Sequence, residues 1–204
     1  MDLLLIRHGE PVRIVDADGP ADPPLAAPGR GQAERLAAWL RVEPLDDIWS
    51  SPMRRAMETA APVATAHGLD VVVDDELAEF DREATSYIPY EELKADRDDR
   101  FLAMVEGRFD DYSVDPVEFR AGVVAAIERV IDANPGRTVA VVCHGGVINA
   151  YIGHILGIER PLWFEPFYTG ITRVAASRAG ARSLVTLNES AHLRHDVSPT
   201  PPPA

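Results

Sequence analysis

The chain has 204 residues, 46% of them hydrophobic, which suits one domain with a sizeable core. Its formal net charge of −13 shows no basic face and excludes nucleic acid as the main partner. A single cysteine, Cys143, excludes an internal disulfide framework and fits a reducing compartment. No run approaches the roughly 18 apolar residues of a membrane span, so a cytoplasmic location away from membranes is expected.

In chain order, Leu3 to Ile6 is a short apolar run ending abruptly at Arg7-His8-Gly9, the pattern of a buried strand that stops at a loop. Gly29 to Leu40 has helical spacing, with Ala33, Leu36, Ala37 and Leu40 on one face. Asp47-Ile48-Trp49 reads as a second strand. After it, Ser51 is the expected N-cap and Pro52 the first turn of a helix running to about His67. Val71 to Val73 is a third strand. The charged stretch from Asp81 to about Asp111 is less periodic, with a helix expected at Asp98 to Glu106 as part of a lid.

Pro116 to about Ala133 is an amphipathic helix stopped by Asn134-Pro135-Gly136. Thr138 to Cys143, nearly uniform in apolar character, is expected at the centre of a sheet and breaks at His144-Gly145-Gly146. A helix to about Leu156 follows. Ile171 to Ala176 and Ser183 to Leu187 form a hairpin around Ala179-Gly180. Residues 1–195 are thus read as a single catalytic domain and the Pro-rich residues 196–204 as a disordered tail. Strands alternating with helices indicate an α/β fold, a three-layer α/β/α sandwich with a mostly parallel central sheet. In such sheets ligands bind beyond the carboxyl ends of the strands, where Arg7-His8-Gly9, Ser50-Ser51-Pro52 and His144-Gly145 would converge.

Splitting a phosphomonoester without a metal requires cations around the phosphoryl group, an in-line nucleophile and a proton for the leaving oxygen. Neutral imidazole can be that nucleophile near pH 7, and arginine suits phosphoryl oxygens better than lysine. Arg7 beside His8 provides both groups, and Gly9 lets the backbone approach the ligand.

The chain resembles the histidine phosphatase superfamily, the phosphoglycerate mutase-like family. The resemblance is carried by Leu3 to Glu10, Asp22-Pro23-Pro24-Leu25 with Gly29 and Gln32-Ala33, and Ser50 to Ala56 with Thr59-Ala60. It continues through Leu77-Ala78-Glu79 and Val142-Cys143-His144-Gly145-Gly146-Val147. Order and spacing agree to about residue 190. The resemblance implies that His8 is the phosphorylated nucleophile, that Arg7, Arg55 and His144 complete the phosphate pocket, and that Glu79 is the proton donor. Arg55 is preferred to Arg54 because it directly precedes the small residue Ala56.

The chain departs from the family where Glu10-Pro11-Val12-Arg13-Ile14 lacks the usual Thr and Asn. Arg13 is the expected substitute in substrate binding, with Gly9 and Gly145. Phe80-Asp81-Arg82-Glu83-Ala84 replaces a Gly-x-Trp-Glu-Gly run, so Asp81 and Glu83 remain alternatives to Glu79. Mutases of this type commonly follow the second histidine with Gly-Asn. Gly145-Gly146 instead favours a phosphatase acting on a small phosphorylated metabolite, with no metal and no bisphosphorylated priming cofactor. A mutase and a non-catalytic phospho-ligand binding protein are the alternatives. His67, His154, His192 and His195 are read as structural, and Cys143 as a buried strand residue. Trp163, Phe164 and Phe167 are either core or a homodimer contact.

Overall fold

A computed structural model describes residues 1–109 and 112–194. His195 and the expected tail at 196–204 lie outside them. The six strands are β1 (Asp2–Arg7), β2 (Asp47–Ser50), β3 (Val71–Val73), β4 (Thr138–Cys143), β5 (Ile171–Ala176) and β6 (Arg182–Glu189). They form one sheet in the order β3-β2-β4-β1-β5-β6. The pairs β3·β2, β2·β4 and β4·β1 are parallel, and β5 is antiparallel to both neighbours, so it alone runs against the rest. The sheet is therefore mixed but mostly parallel.

Burial on both faces explains why β1 and β4 are uniformly apolar rather than alternating. Leu3 and Leu5 face one layer and join Val139 and Val141 against Ile127, Val130 and Ile148. These last residues belong to α5 (Pro116–Ala133) and α6 (Gly145–Leu156). Leu4 and Ile6 face the other layer, packing with Ala140 and Val142 against Leu36, Leu40, Ala60 and Val63 of α1 (Ala27–Leu40) and α2 (Arg54–His67). All four β1 side chains are 0% exposed. Each contributes about 1.5–3 kcal/mol through burial.

Two short helices, α3 (Tyr90–Ala95) and α4 (Asp99–Val105), occupy the charged segment. Leu93, Met104 and Phe109 make a separate small core there, with Phe80 stacked edge-on against Phe109 at 4.8 Å. Helix α4 matches expectation; α3 was not foreseen. Among the described residues, no helix is long and apolar enough to cross a membrane.

One expectation at α2 needs correction. The helix begins at Arg54, not at Pro52, and its N-cap is Met53, which makes no side-chain cap bond. Ser51 Oγ does accept from the Met53 N–H at 3.2 Å, but its hydroxyl also meets His144 Nε2 at 2.7 Å. A residue that reads as a helix cap is shared with the site.

Candidate active site

The site sits at the carboxyl edge of the sheet because three parallel strands end together there. Arg7 is opposite Cys143 in register, His8 N–H donates to Cys143 C=O at 2.9 Å, and Ser51 N–H donates to Val142 C=O at 3.0 Å. The chain leaving β1, β2 and β4 thus delivers Arg7-His8, Ser51 and His144 to one place. A cleft of about 650 Å³, including its mouth, opens at this edge, with Arg7 and His8 in its lining and with Ser51 and His144 fully buried outside that lining. Arg7, His8, Arg55, Glu79, Asp81, Gly145 and Gly146 line its floor.

His8 is 3% exposed. Its Nδ1 lies 2.7 Å from Gly9 C=O, an acceptor only, so Nδ1 carries the proton and Nε2 keeps its lone pair. Burial, followed by the charges of Arg55 and Arg7, holds its pKa well below 6.5. The ring is neutral at physiological pH, as a nucleophile must be.

The His144 ring lies 5.1 Å from that of His8, centroid to centroid. Ser51 Oγ accepts from Met53 N–H, and its hydroxyl hydrogen meets no acceptor other than His144 Nε2 among the described residues, which places the imidazole proton on Nδ1. That Nδ1 is buried without a partner among the described residues. Burial, with Arg55 and His8 contributing, keeps His144 neutral as well.

Each guanidinium is anchored on one side and unpaired on the other. Arg7 Nη1 donates to Glu91 at 2.6 Å and to Pro166 C=O at 2.7 Å, and its plane lies 4.0 Å over the Tyr168 ring. Arg55 Nη2 donates to Asp81 Oδ1 at 2.7 Å. Arg7 Nε and both Nε and Nη1 of Arg55 have no partner among the described residues. Unsatisfied buried donors are costly, and those of two adjacent arginines with a histidine N–H make a ready anion cradle. Arg54 is exposed and paired with Glu58, so the second arginine of the pair is the one in the cleft.

Glu79 is buried across from these groups. Its Oε2 accepts from Gly146 N–H, at the N-terminus of α6, at 2.8 Å, and its Oε1 accepts from Phe80 N–H at 3.2 Å. Burial, then repulsion from Asp81, outweighs those bonds and raises its pKa from 4.5 to about 7. Asp81 is committed to Arg55, and Glu83 is exposed and paired with Arg82. Of the three candidate acids, Glu79 is the one both buried in the cleft and free of an ion pair.

The structure places two of the expected substrate-binding residues outside the cleft lining. The Arg13 side chain is half exposed and pairs with Glu92 at 3.2 Å, outside the lining. Gly9 does not line the cleft either. A Cβ there would meet Gly29 C=O at 2.7 Å, so its smallness serves backbone packing against α1. Gly145 does line the cleft, and a Cβ on it would sit 3.9 Å from Arg7 Nε.

Supporting residues went unread in the sequence. Thr59 accepts from Gly9 N–H at 2.9 Å and donates to Arg55 C=O at 2.7 Å, tying the nucleophile loop to α2. Asn149 holds the Trp163-Phe164 turn by accepting both their N–H groups and donating to Phe164 C=O. Trp163 and Phe164 pack on the core, whereas Phe167 is exposed.

An α/β sandwich that gathers two histidines, two guanidiniums and a buried carboxyl at the carboxyl edge of its sheet defines a receptor for a tetrahedral oxyanion. More particularly, residues 3–190 match the histidine phosphatase superfamily (branch 1), and the chain belongs to that family. It is 32% identical over 168 residues to phosphoserine phosphatase 1 of Hydrogenobacter thermophilus, covering 77% of each chain. It is 31% identical over 159 residues to phosphoglycerate mutase-like protein 4 of Arabidopsis thaliana, covering 73% of this chain and 68% of the relative. Its fold superposes with a TM-score of 0.75 on a phosphoserine phosphatase mutant from Entamoeba histolytica in complex with phosphoserine. That match has 25% identity and covers 95% of this chain and 99% of the other.

Proposed function

We propose that the protein is a phosphatase that hydrolyses a small phosphomonoester through a phosphohistidine on His8. The observation that carries the reading is the neutral His8, with its free Nε2, set among the unpaired donors of Arg7, Arg55 and His144.

The phosphoryl group binds with its oxygens on Arg7 Nε, Arg55 Nε and Nη1, and His144 Nδ1–H. His8 Nε2 attacks phosphorus, forming the N–P bond as the P–O bond to the alcohol breaks. Glu79, protonated up to about pH 7, gives its proton to the departing oxygen. In the second half, water attacks phosphorus and passes a proton to the Glu79 carboxylate. The N–P bond then breaks, releasing phosphate and restoring neutral His8. One carboxyl group thus serves as acid and then as base, which a pKa near 7 allows.

The arginines provide the neutralisation that a metal ion would otherwise supply. Tyr90 and Leu93 of α3 and Met104 of α4 wall the cleft, which favours a small molecule over a phosphoprotein loop. The lone cysteine supports a cytoplasmic setting. Phosphate release from alkyl phosphates in the presence of chelator, lost in His8→Ala with folding retained, is the expected result. Binding without release would leave a phospho-ligand binding protein. Transfer of the phosphoryl group to a second hydroxyl of the substrate, rather than to water, would identify a mutase.

A further inference from the structure

Beyond the phosphate end, the wall of the cleft is mostly apolar and aromatic, with Tyr87, Tyr90 and Tyr112 among its residues. Phe80, Ile88, Leu93, Met104, Leu162 and Phe164 face it, most of them continuous with the small core around Leu93 and Met104. The charged side chains in the lining are Arg7, Arg55, Glu79, Asp81 and Glu165. Both guanidiniums already carry a carboxylate partner, Glu91 on Arg7 and Asp81 on Arg55. At the rim, Glu165 is paired with Lys94 at 2.7 Å. Arg160 acts on Tyr90 from outside the lining, on an exposed stretch of chain. A phosphoryl dianion therefore finds cationic donors, but a second anionic group on the same substrate finds apolar side chains, the neutral side chains of Tyr87, Tyr90, Tyr112 and Asn149, and acids, with no further cation in the lining. The chain's net charge of −13 adds to that repulsion.

We propose that the site takes phosphomonoesters of apolar, uncharged alcohols and discriminates against phosphorylated hydroxy acids, whose carboxylate has no cationic partner in the wall. The inference rests on the phosphatase reading above and narrows its substrate class. It sets this chain apart from the relatives whose names carry phosphoserine or phosphoglycerate. A carboxylate placed in that wall loses hydration that neutral hydroxyls replace only in part, whereas each methylene of an alkyl chain gains by burial.

The test compares primary and secondary alkyl phosphates of similar leaving-group chemistry. Ethyl, butyl and hexyl phosphate would be run beside 2-phenylethyl phosphate, phosphoserine, 3-phosphoglycerate and the methyl ester of 3-phosphoglycerate. We expect kcat/KM to rise by about threefold per added methylene until the wall is filled. The methyl ester should exceed the free acid by about tenfold or more, since one apolar-wall discrimination of that order is ordinary. Leu162→Arg, which adds a cation to the wall, should raise turnover of 3-phosphoglycerate relative to hexyl phosphate. Free acids turned over as well as the ester and the alkyl series would overturn the substrate assignment and leave the phosphatase reading standing. Absence of turnover on every compound would overturn both. If Leu162→Arg does not fold, the ester-against-acid comparison in the wild type decides alone.

Discussion

Replacing Glu79 with glutamine separates its electrostatic cost from its chemical use. In the folded protein the carboxyl titrates at about 7 rather than 4.5. At about 1.4 kcal/mol per pH unit this difference corresponds to roughly 3 kcal/mol. A raised carboxyl means that the native state holds more protons than the unfolded chain between those values. Stability therefore falls as pH rises from about 4.5 to 7, and the full penalty is present above 7. Glu79→Gln is neutral at every pH and removes that slope. Its amide oxygen still accepts from Gly146 N–H, but its NH₂ meets Phe80 N–H without an acceptor, so the net gain at pH 8 is expected to be about 1–2 kcal/mol. Urea unfolding at pH 5 and pH 8 measures it. Turnover moves the other way. For an alkyl phosphate, kcat/KM should drop by about 10²–10⁴-fold, and the wild-type decline above pH 7 should disappear. A nitrophenyl ester, whose leaving group needs no proton, should suffer far less. An alkyl ester hydrolysed within tenfold of wild type, or a variant that keeps the alkaline decline, would remove Glu79 from the acid role.

Ser51→Ala leaves His144 Nε2 buried and unpaired, and frees the ring to take the other tautomer. Activity should fall by about tenfold and stability by about 1–3 kcal/mol, read by assay and denaturation together. At Gly146 a Cβ would lie 2.2 Å from Glu79 Oε1 and 2.9 Å from Phe80 Cδ1. Gly146→Ala should therefore displace the acid and lower turnover of alkyl phosphates more than that of nitrophenyl phosphate. His8 and His144 are both buried neutral, with pKa values depressed by burial and by the arginines. Below about pH 6.5 the unfolded chain binds protons that the native state refuses, so stability must fall with acidity. His8→Asn should flatten that fall by about 1.4 kcal/mol per pH unit in this range. An unchanged slope would mean that His8 is protonated in the folded protein.

Much of the fold could be read because the central strands are buried on both faces. Leu3 to Ile6 and Val139 to Cys143 have no polar position to confuse the period, and the glycines and histidines that follow mark their ends. Helix α3 escaped because six residues rich in charge show too little periodicity. The first turn of α2 was misplaced because Ser51 answers to His144, 93 positions away, rather than to its own helix. That Arg13 pairs with Glu92, 79 positions away, was equally hidden, since spacing along a chain says nothing of where a loop turns a long side chain. The partners that hold Arg7, namely Glu91 and Tyr168, lie 84 and 161 residues further along the chain, in segments with no local mark of a site. The residues proposed for the chemistry were legible, and those that orient them were not.

The central claim concerns a covalent bond at His8. The most direct measurement mixes enzyme with an alkyl phosphate, quenches within milliseconds in alkali, where phosphohistidine survives, and maps the phosphoryl group by peptide mass spectrometry. One phosphoryl group is expected on the peptide carrying Arg7-His8-Gly9, formed and lost at rates that match turnover and absent in His8→Ala. Steady turnover with no phosphoryl group on that peptide, or with one on another residue, would contradict it.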